Sequence, residues 1–180
     1  MRPHERLARF LNYPDAEHVR VFDNGAVRIE RSETNETVVR ADDQRSSFRL
    51  AINRRWTPLD ALYFFGYALT HYHSLPISLF DARLIRAREI GSRSAPLSLL
   101  DVELPADLPT HCRRQSFYFD REGRLARHDY HAEIVGLWAR GAHFWGRQVS
   151  FDGFSATLEV QDIRGCREPV HSGQRLLPRH

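Results

Sequence analysis

Tyr63-Phe64-Phe65-Gly66-Tyr67-Ala68-Leu69-Thr70-His71-Tyr72-His73 leaves no continuous polar stripe when wound as a helix. A helix apolar nearly all round is a buried one. Its start is written just upstream. Thr57 can cap, Pro58 suits the first helical position, and Asp60 falls at N3, where a carboxylate meets the positive end of the helix dipole. Ser74 and Pro76 stop it, so the spacing predicts a helix over 58–73. Gly66 in its middle costs about 1 kcal/mol against alanine, which predicts close approach of another element or of a ligand.

Outward from this helix the pattern turns to strands. Val19-Arg20-Val21-Phe22 and Ala26-Val27-Arg28-Ile29-Glu30-Arg31 flank Asn24-Gly25, a pair suited to the positive φ angles of a tight hairpin turn. Thr37-Val38-Val39-Arg40 adds a short strand, and 41–55 reads as loop. Near the N-terminus, Leu7, Phe10 and Leu11 have helical spacing, predicting a helix over 5–11. Alternation predicts strands at 83–90 and 97–104. A hairpin of 111–119 with 124–134 closes through Asp120-Arg121-Glu122-Gly123, and further strands are predicted at 142–151 and 154–163. With Phe119 opposite Arg124, one face of that hairpin holds Gln115, Phe117, Phe119, Ala126, His128, Tyr130 and Ala132. Arg127, Asp129 and His131 lie on the other. The elements predict an α+β protein, a curved antiparallel sheet (a half-barrel) wrapped over one long hydrophobic helix. One domain is predicted over 1–164, with a disordered polar tail over 165–180.

Composition removes several chemistries. The 180 residues contain no lysine, and all 26 basic residues are arginine. Schiff-base catalysis and lysine-dependent phosphate binding are therefore excluded. A net charge of +3, with arginines interspersed among carboxylates, argues against nucleic-acid binding. No apolar run approaches the ~20 residues needed to span a bilayer, and the N-terminus has no signal-peptide core, so a cytoplasmic address is expected. Cys112 and Cys166 lack metal-type spacing and read as free thiols.

Several of these residues carry a resemblance. The run 63–69 with Tyr72 and Pro76, the run Thr110-His111-Cys112-Arg113-Arg114-Gln115-Ser116-Phe117-Tyr118-Phe119-Asp120, Gly123, Leu125, Arg127-His128-Asp129-Tyr130, and Phe151-Asp152-Gly153 are similar to motifs of an uncharacterised bacterial protein family. That family resembles LolA-like outer-membrane lipoprotein carriers, whose half-barrel sheet holds acyl chains against a helix. The resemblance spans roughly 47–153 and implies an apolar, lipid-like ligand. This chain departs from it twice. Additional N-terminal strands are expected to be missing, which would leave a sheet edge open to a second copy. Phe154-Ser155-Ala156-Thr157 also stands where the family has a Pro-Thr and arginine-rich strand.

Three functional readings follow. In the first, the chain is a module binding an apolar small molecule or lipid between sheet and helix, with Tyr63, Phe65, Gly66, Tyr67, Tyr72, His73, Phe117 and Phe119 as ligand-binding residues. Trp56, Trp138, Trp145 and Phe64 extend the set of aromatic candidates for that cavity. In the second, it is a cyclase, isomerase or hydrolase acting on an apolar substrate, with His128 and Tyr130 as the acid–base pair and His71 or His73 nearby. The third is a truncated, inactive family member. Asp129 and His131 share a face in hydrolase-like spacing, but exposed polar residues, with Arg127 paired to Asp129, account for the same letters. Cys112 and its neighbour His111 point to opposite faces if both lie on a strand. His71 and His73 are two apart, the wrong separation for metal ligands on a helix. No metal or cofactor is expected, and no glycine-rich phosphate loop is present.

Overall fold

The structure is a computed structural model and describes residues 5–12, 15–50, 55–136, 138–145, 148–151, 154–157 and 160–161. The described residues form an α+β structure, with antiparallel sheets and one α-helix among them. It divides into two compact units, the first made of residues up to 81 with 105–111 and 134–136, the second of the remainder.

In the first unit, β1 (Leu7–Phe10), β2 (His18–Asp23), β3 (Ala26–Arg31) and β4 (Thr37–Ala41) form a four-stranded meander. The β2–β3 hairpin closes as predicted, with positive φ at both Asn24 (46°) and Gly25 (102°). The segment expected to be helical is β1 instead. It pairs along β2, and Ala8 and Phe10, two apart, share the core-facing side. Alternation was the true signal, and four residues joining a hairpin take their conformation from the ladder rather than from propensity. Residues 44–50, read as loop, form a 3-10 helix.

Helix α1 (Pro58–Ser74) has the predicted start. Thr57 Oγ1 accepts from the Asp60 backbone N–H, and Asp60 Oδ2 accepts from the Thr57 N–H at 2.7 Å, a reciprocal capping box. The Asp60 carboxylate is fully buried and also accepts from Gln44 Nε2 (2.6 Å) and Ser47 Oγ (2.9 Å), which fastens the helix to the 3-10 segment. Leu62, Tyr63, Tyr67 and Ala68 pack with Ala8, Phe22, Val27 and Ile134 into the core of this unit. Gly66 is where the helix meets the sheet. A Cβ placed there would lie 2.3 Å from Phe22 Cβ and Cγ. The close approach expected at Gly66 is thus made by Phe22, not by a ligand.

On the opposite face of that sheet, buried Glu30 accepts from Arg28 Nε (2.6 Å) and Arg9 (3.0 Å), so the buried charge is paired.

The second unit holds a six-stranded sheet in the order β12-β9-β8-β7-β6-β5. Its strands are β5 (Arg83–Ser92), β6 (Ala95–Glu103), β7 (Arg114–Phe119), β8 (Leu125–His131), β9 (Arg140–Trp145) and β12 (Val160–Gln161). A separate hairpin joins β10 (Gln148–Phe151) to β11 (Phe154–Thr157). The edge strand β5 carries exposed Leu84 and Ile85, but a bulge at Ile85 and the charges of Arg83, Arg86 and Glu89 blunt it against pairing.

The β7–β8 hairpin slides by two residues from the expected register, placing Phe117 opposite His128. An even slip preserves faces, so Gln115, Phe117, His128 and Tyr130 stay together as predicted. A bulge near the turn then puts Leu125, not Arg124, opposite Phe119 and leaves Ala126 outside the ladder. The Asp120–Gly123 turn forms, with Gly123 at φ 76°.

Among the described residues no helix is long and apolar enough to cross a membrane. The predicted tail 165–180 and Cys166 lie outside the described residues.

Candidate functional site

The residues expected at one site fall in both units: Tyr63, Phe65, Gly66, Tyr67, Tyr72 and His73 in the first, Phe117, Phe119, His128 and Tyr130 in the second.

In the first unit, α1 sorts its residues by face. Tyr63, Gly66 and Tyr67 belong to the core. Ala61, Phe65, Leu69, Tyr72 and His73 recur at three- and four-residue spacing and form the less buried stripe, with Phe65 47% exposed. Next to this stripe runs a row of rings. Trp56, 39% exposed, lies 5.2 Å from half-buried Phe64, which lies 5.5 Å from Phe65 and 5.4 Å from His111. His111 in turn is hydrogen-bonded through both ring nitrogens. Tyr67 Oη is 2.8 Å from Nδ1 and Tyr72 Oη is 2.5 Å from Nε2. His73 is exposed and donates from Nδ1 to the Leu69 carbonyl at 2.8 Å, as expected of a histidine at the negative end of a helix. His71, two residues away, is buried.

In the second unit, neighbouring strands align His128 with His143 and Tyr130 with Gly141. His128 is fully buried. Its ring stacks on Phe117 at 4.4 Å, and Nε2 is 2.5 Å from Gln115 Oε1. Gln115 commits its amide nitrogen to the Cys112 carbonyl at 2.7 Å, so its oxygen accepts and the His128 proton sits on Nε2. Tyr130 Oη is 2.6 Å from His143 Nε2. Gly141 makes that geometry possible, because a Cβ there would lie 2.6 Å from Tyr130 Cζ. Phe119 is half-buried beyond the stack.

The reverse face departs from expectation. Arg127 does pair with Asp129 (2.6 and 2.8 Å), but it is buried between the rings of Tyr118 and Phe144, not solvated. Tyr118 Oη donates to Asp129 at 2.8 Å. Burial, reinforced by the Asp129 charge, pushes the Tyr118 phenol well above its ordinary range, so it remains a donor. Trp138, a candidate cavity residue, is exposed, and Cys112 is buried with its thiol donating to the Arg114 carbonyl.

Burial holds His143 below the usual histidine range. The unfolded chain therefore binds a proton at this residue more readily than the folded one, and stability rises with pH across that window. Acidification from pH 7 is expected to reduce stability, beginning near the unfolded histidine value of about 6.5 and levelling off below the folded value. Urea denaturation at about pH 7.5 and pH 5.5 checks this, and His143→Phe should flatten the slope.

Sequence reasoning missed His111 and His143 as hydrogen-bond partners of the tyrosines, and Gly141 as the residue that makes room for the Tyr130 ring. The available signal was the tyrosines: a buried Tyr67 or Tyr130 hydroxyl needs a partner. Among the described residues no group of three or more His, Cys, Asp and Glu side chains is arranged to hold a metal. In comparisons with known proteins the chain matches no family model, no curated protein and no solved structure.

Proposed function

We propose that this chain is a binding module for an apolar or lipid-like small molecule, held along the less buried stripe of α1. The observation that carries the reading is the exposure of Phe65 beside half-buried Phe64 and Trp56, a continuous row of aromatic rings that runs from just before α1 onto a helix whose other face already has its core. Contiguous apolar surface left exposed marks an interaction or ligand-binding site. The place differs from the one expected from sequence, because within the first unit the seam at Gly66 is filled by Phe22. Phe65, Tyr72 and His73 stay in the site, and Tyr63, Gly66 and Tyr67 support it from the core side. The half-barrel likeness to lipoprotein carriers belongs to the same proposal and rests on the sequence motifs. Phe65→Ser is expected to weaken binding of a long-chain fatty acid at least about tenfold, read by native mass spectrometry.

A second reading, an acid–base enzyme using His128 and Tyr130, is favoured by the short Tyr130–His143 hydrogen bond next to His128. It ranks lower because both side chains are buried and His128 already has its ring stacked and its Nε2 bonded.

A further inference from the structure

His111 is 1% exposed, and each of its ring nitrogens meets a phenol borne by α1. A neutral imidazole carries one N–H and one lone pair, so the two phenols must play opposite roles toward it. In one arrangement Tyr72 donates to Nε2 and the Nδ1–H donates to Tyr67. In the other, Tyr67 donates to Nδ1 and the Nε2–H donates to Tyr72. Converting the first into the second moves a proton through the imidazole and requires Tyr72 to gain, and Tyr67 to lose, one proton outside the row. The row has an inner and an outer end, since Tyr67 is fully buried and Tyr72 only half-buried. Tyr72 reaches the same stripe of α1 as Phe65, two turns earlier. Satisfying two hydroxyls requires only hydrogen-bond acceptors. A basic nitrogen at 2.5 Å from Tyr72 Oη provides more, a place for the phenol proton to go.

We infer that Tyr67–His111–Tyr72 is a proton relay that makes Tyr72 a reactive phenol toward an apolar ester. The apolar body of that substrate rests on the binding reading above; the relay does not. In the step assigned to it, Tyr72 Oη bonds to the ester carbonyl carbon while its proton passes to His111 Nε2, and the carbonyl π electrons move to oxygen. The Nδ1–H, held by Tyr67 Oη, shares the imidazolium charge. Collapse re-forms the carbonyl and breaks the ester C–O bond, and the departing alkoxide takes the proton from Nε2. Tyr72 and His111 are the catalytic residues, and Tyr67 is a positioning residue.

The test uses phenylmethanesulfonyl fluoride at about pH 7 with peptide mapping by mass spectrometry. Tyr72 Oη bonds to sulfur, fluoride leaves, and His111 takes the proton. Tyr72 is expected to label at least about tenfold faster than free tyrosine amide, which at neutral pH is almost wholly un-ionised because its pKa is about 10. His111→Gln keeps a donor and an acceptor but no basic nitrogen, and is expected to lower the Tyr72 rate at least about tenfold while unfolding stays cooperative. A Tyr72 rate no faster than free tyrosine amide overturns the relay, and this result needs no variant to fold. A folded His111→Gln variant labelling at the wild-type rate overturns it as well. Phe65→Ser separates the two readings. Loss of labelling there supports the apolar substrate, whereas wild-type labelling overturns the apolar-ester assignment and leaves the relay to stand or fall on His111→Gln.

Discussion

Gly66→Ala is expected to destabilise the protein by about 3 kcal/mol, at the upper end of overpacking costs, although alanine is the better helix former by about 1 kcal/mol. The new Cβ would sit 2.3 Å from Phe22 Cβ and Cγ, and the Phe22 Cβ is fixed to the β2 backbone, so no side-chain rotation relieves the clash. Phe22 is fully buried against Ala8, Val27 and Tyr63, so it has nowhere to move. The substitution therefore pries α1 from its sheet. The coupled experiment is Phe22→Ala with Gly66→Ala. Phe22→Ala alone is expected to cost about 3–5 kcal/mol through the cavity it leaves. The double variant should cost less than the sum of the two, because the added methyl enters space that the ring has vacated. Urea denaturation of the wild type, both single variants and the double variant gives the coupling, and strict additivity would count against the close approach.

The second large effect is expected at Asp60. Asp60→Ala should cost about 3 kcal/mol, combining a lost helix cap with buried donors left unsatisfied. The carboxylate serves Thr57, Gln44 and Ser47 together, so removing it both frays the first turn of α1 and frees the 3-10 segment 44–50. Hydrogen exchange should accelerate more in the first turn of the helix than in its last. A cost under about 0.5 kcal/mol would place Asp60 among ordinary surface positions.

The contrast between α1 and β1 explains what the sequence makes legible. Thr57, Pro58, Asp60 and Pro76 act within a few residues of the helix ends they set, so local chemistry predicts the boundaries almost to the residue. For Leu7, Phe10 and Leu11 the spacing fits a helix, while Ala8 and Phe10 fit a strand, and only pairing with the later strand β2 decides between them. The hairpin face at Gln115, Phe117, His128 and Tyr130 survives an error in register because the error is an even number of residues. Site partners are harder still. Tyr67 and His111 are 44 residues apart, and Tyr130 and His143 are 13 apart on adjacent strands, so nothing local in the chain announces either hydrogen bond. The burial of Arg127 was hidden for the same reason, since the Phe144 ring beside it comes from another strand.

An apolar ligand on the outer stripe of α1 is the proposal on which the functional reading rests. Native mass spectrometry decides it, applied to the purified protein and to Phe65→Ser, each before and after organic extraction and then with added fatty acid. The expected result is a discrete adduct on the wild-type protein, removed by extraction, restored by fatty acid, and at least about tenfold weaker in Phe65→Ser. Wild-type protein that folds cooperatively yet takes up no fatty acid would refute the proposal, as would a Phe65→Ser variant that binds it equally well.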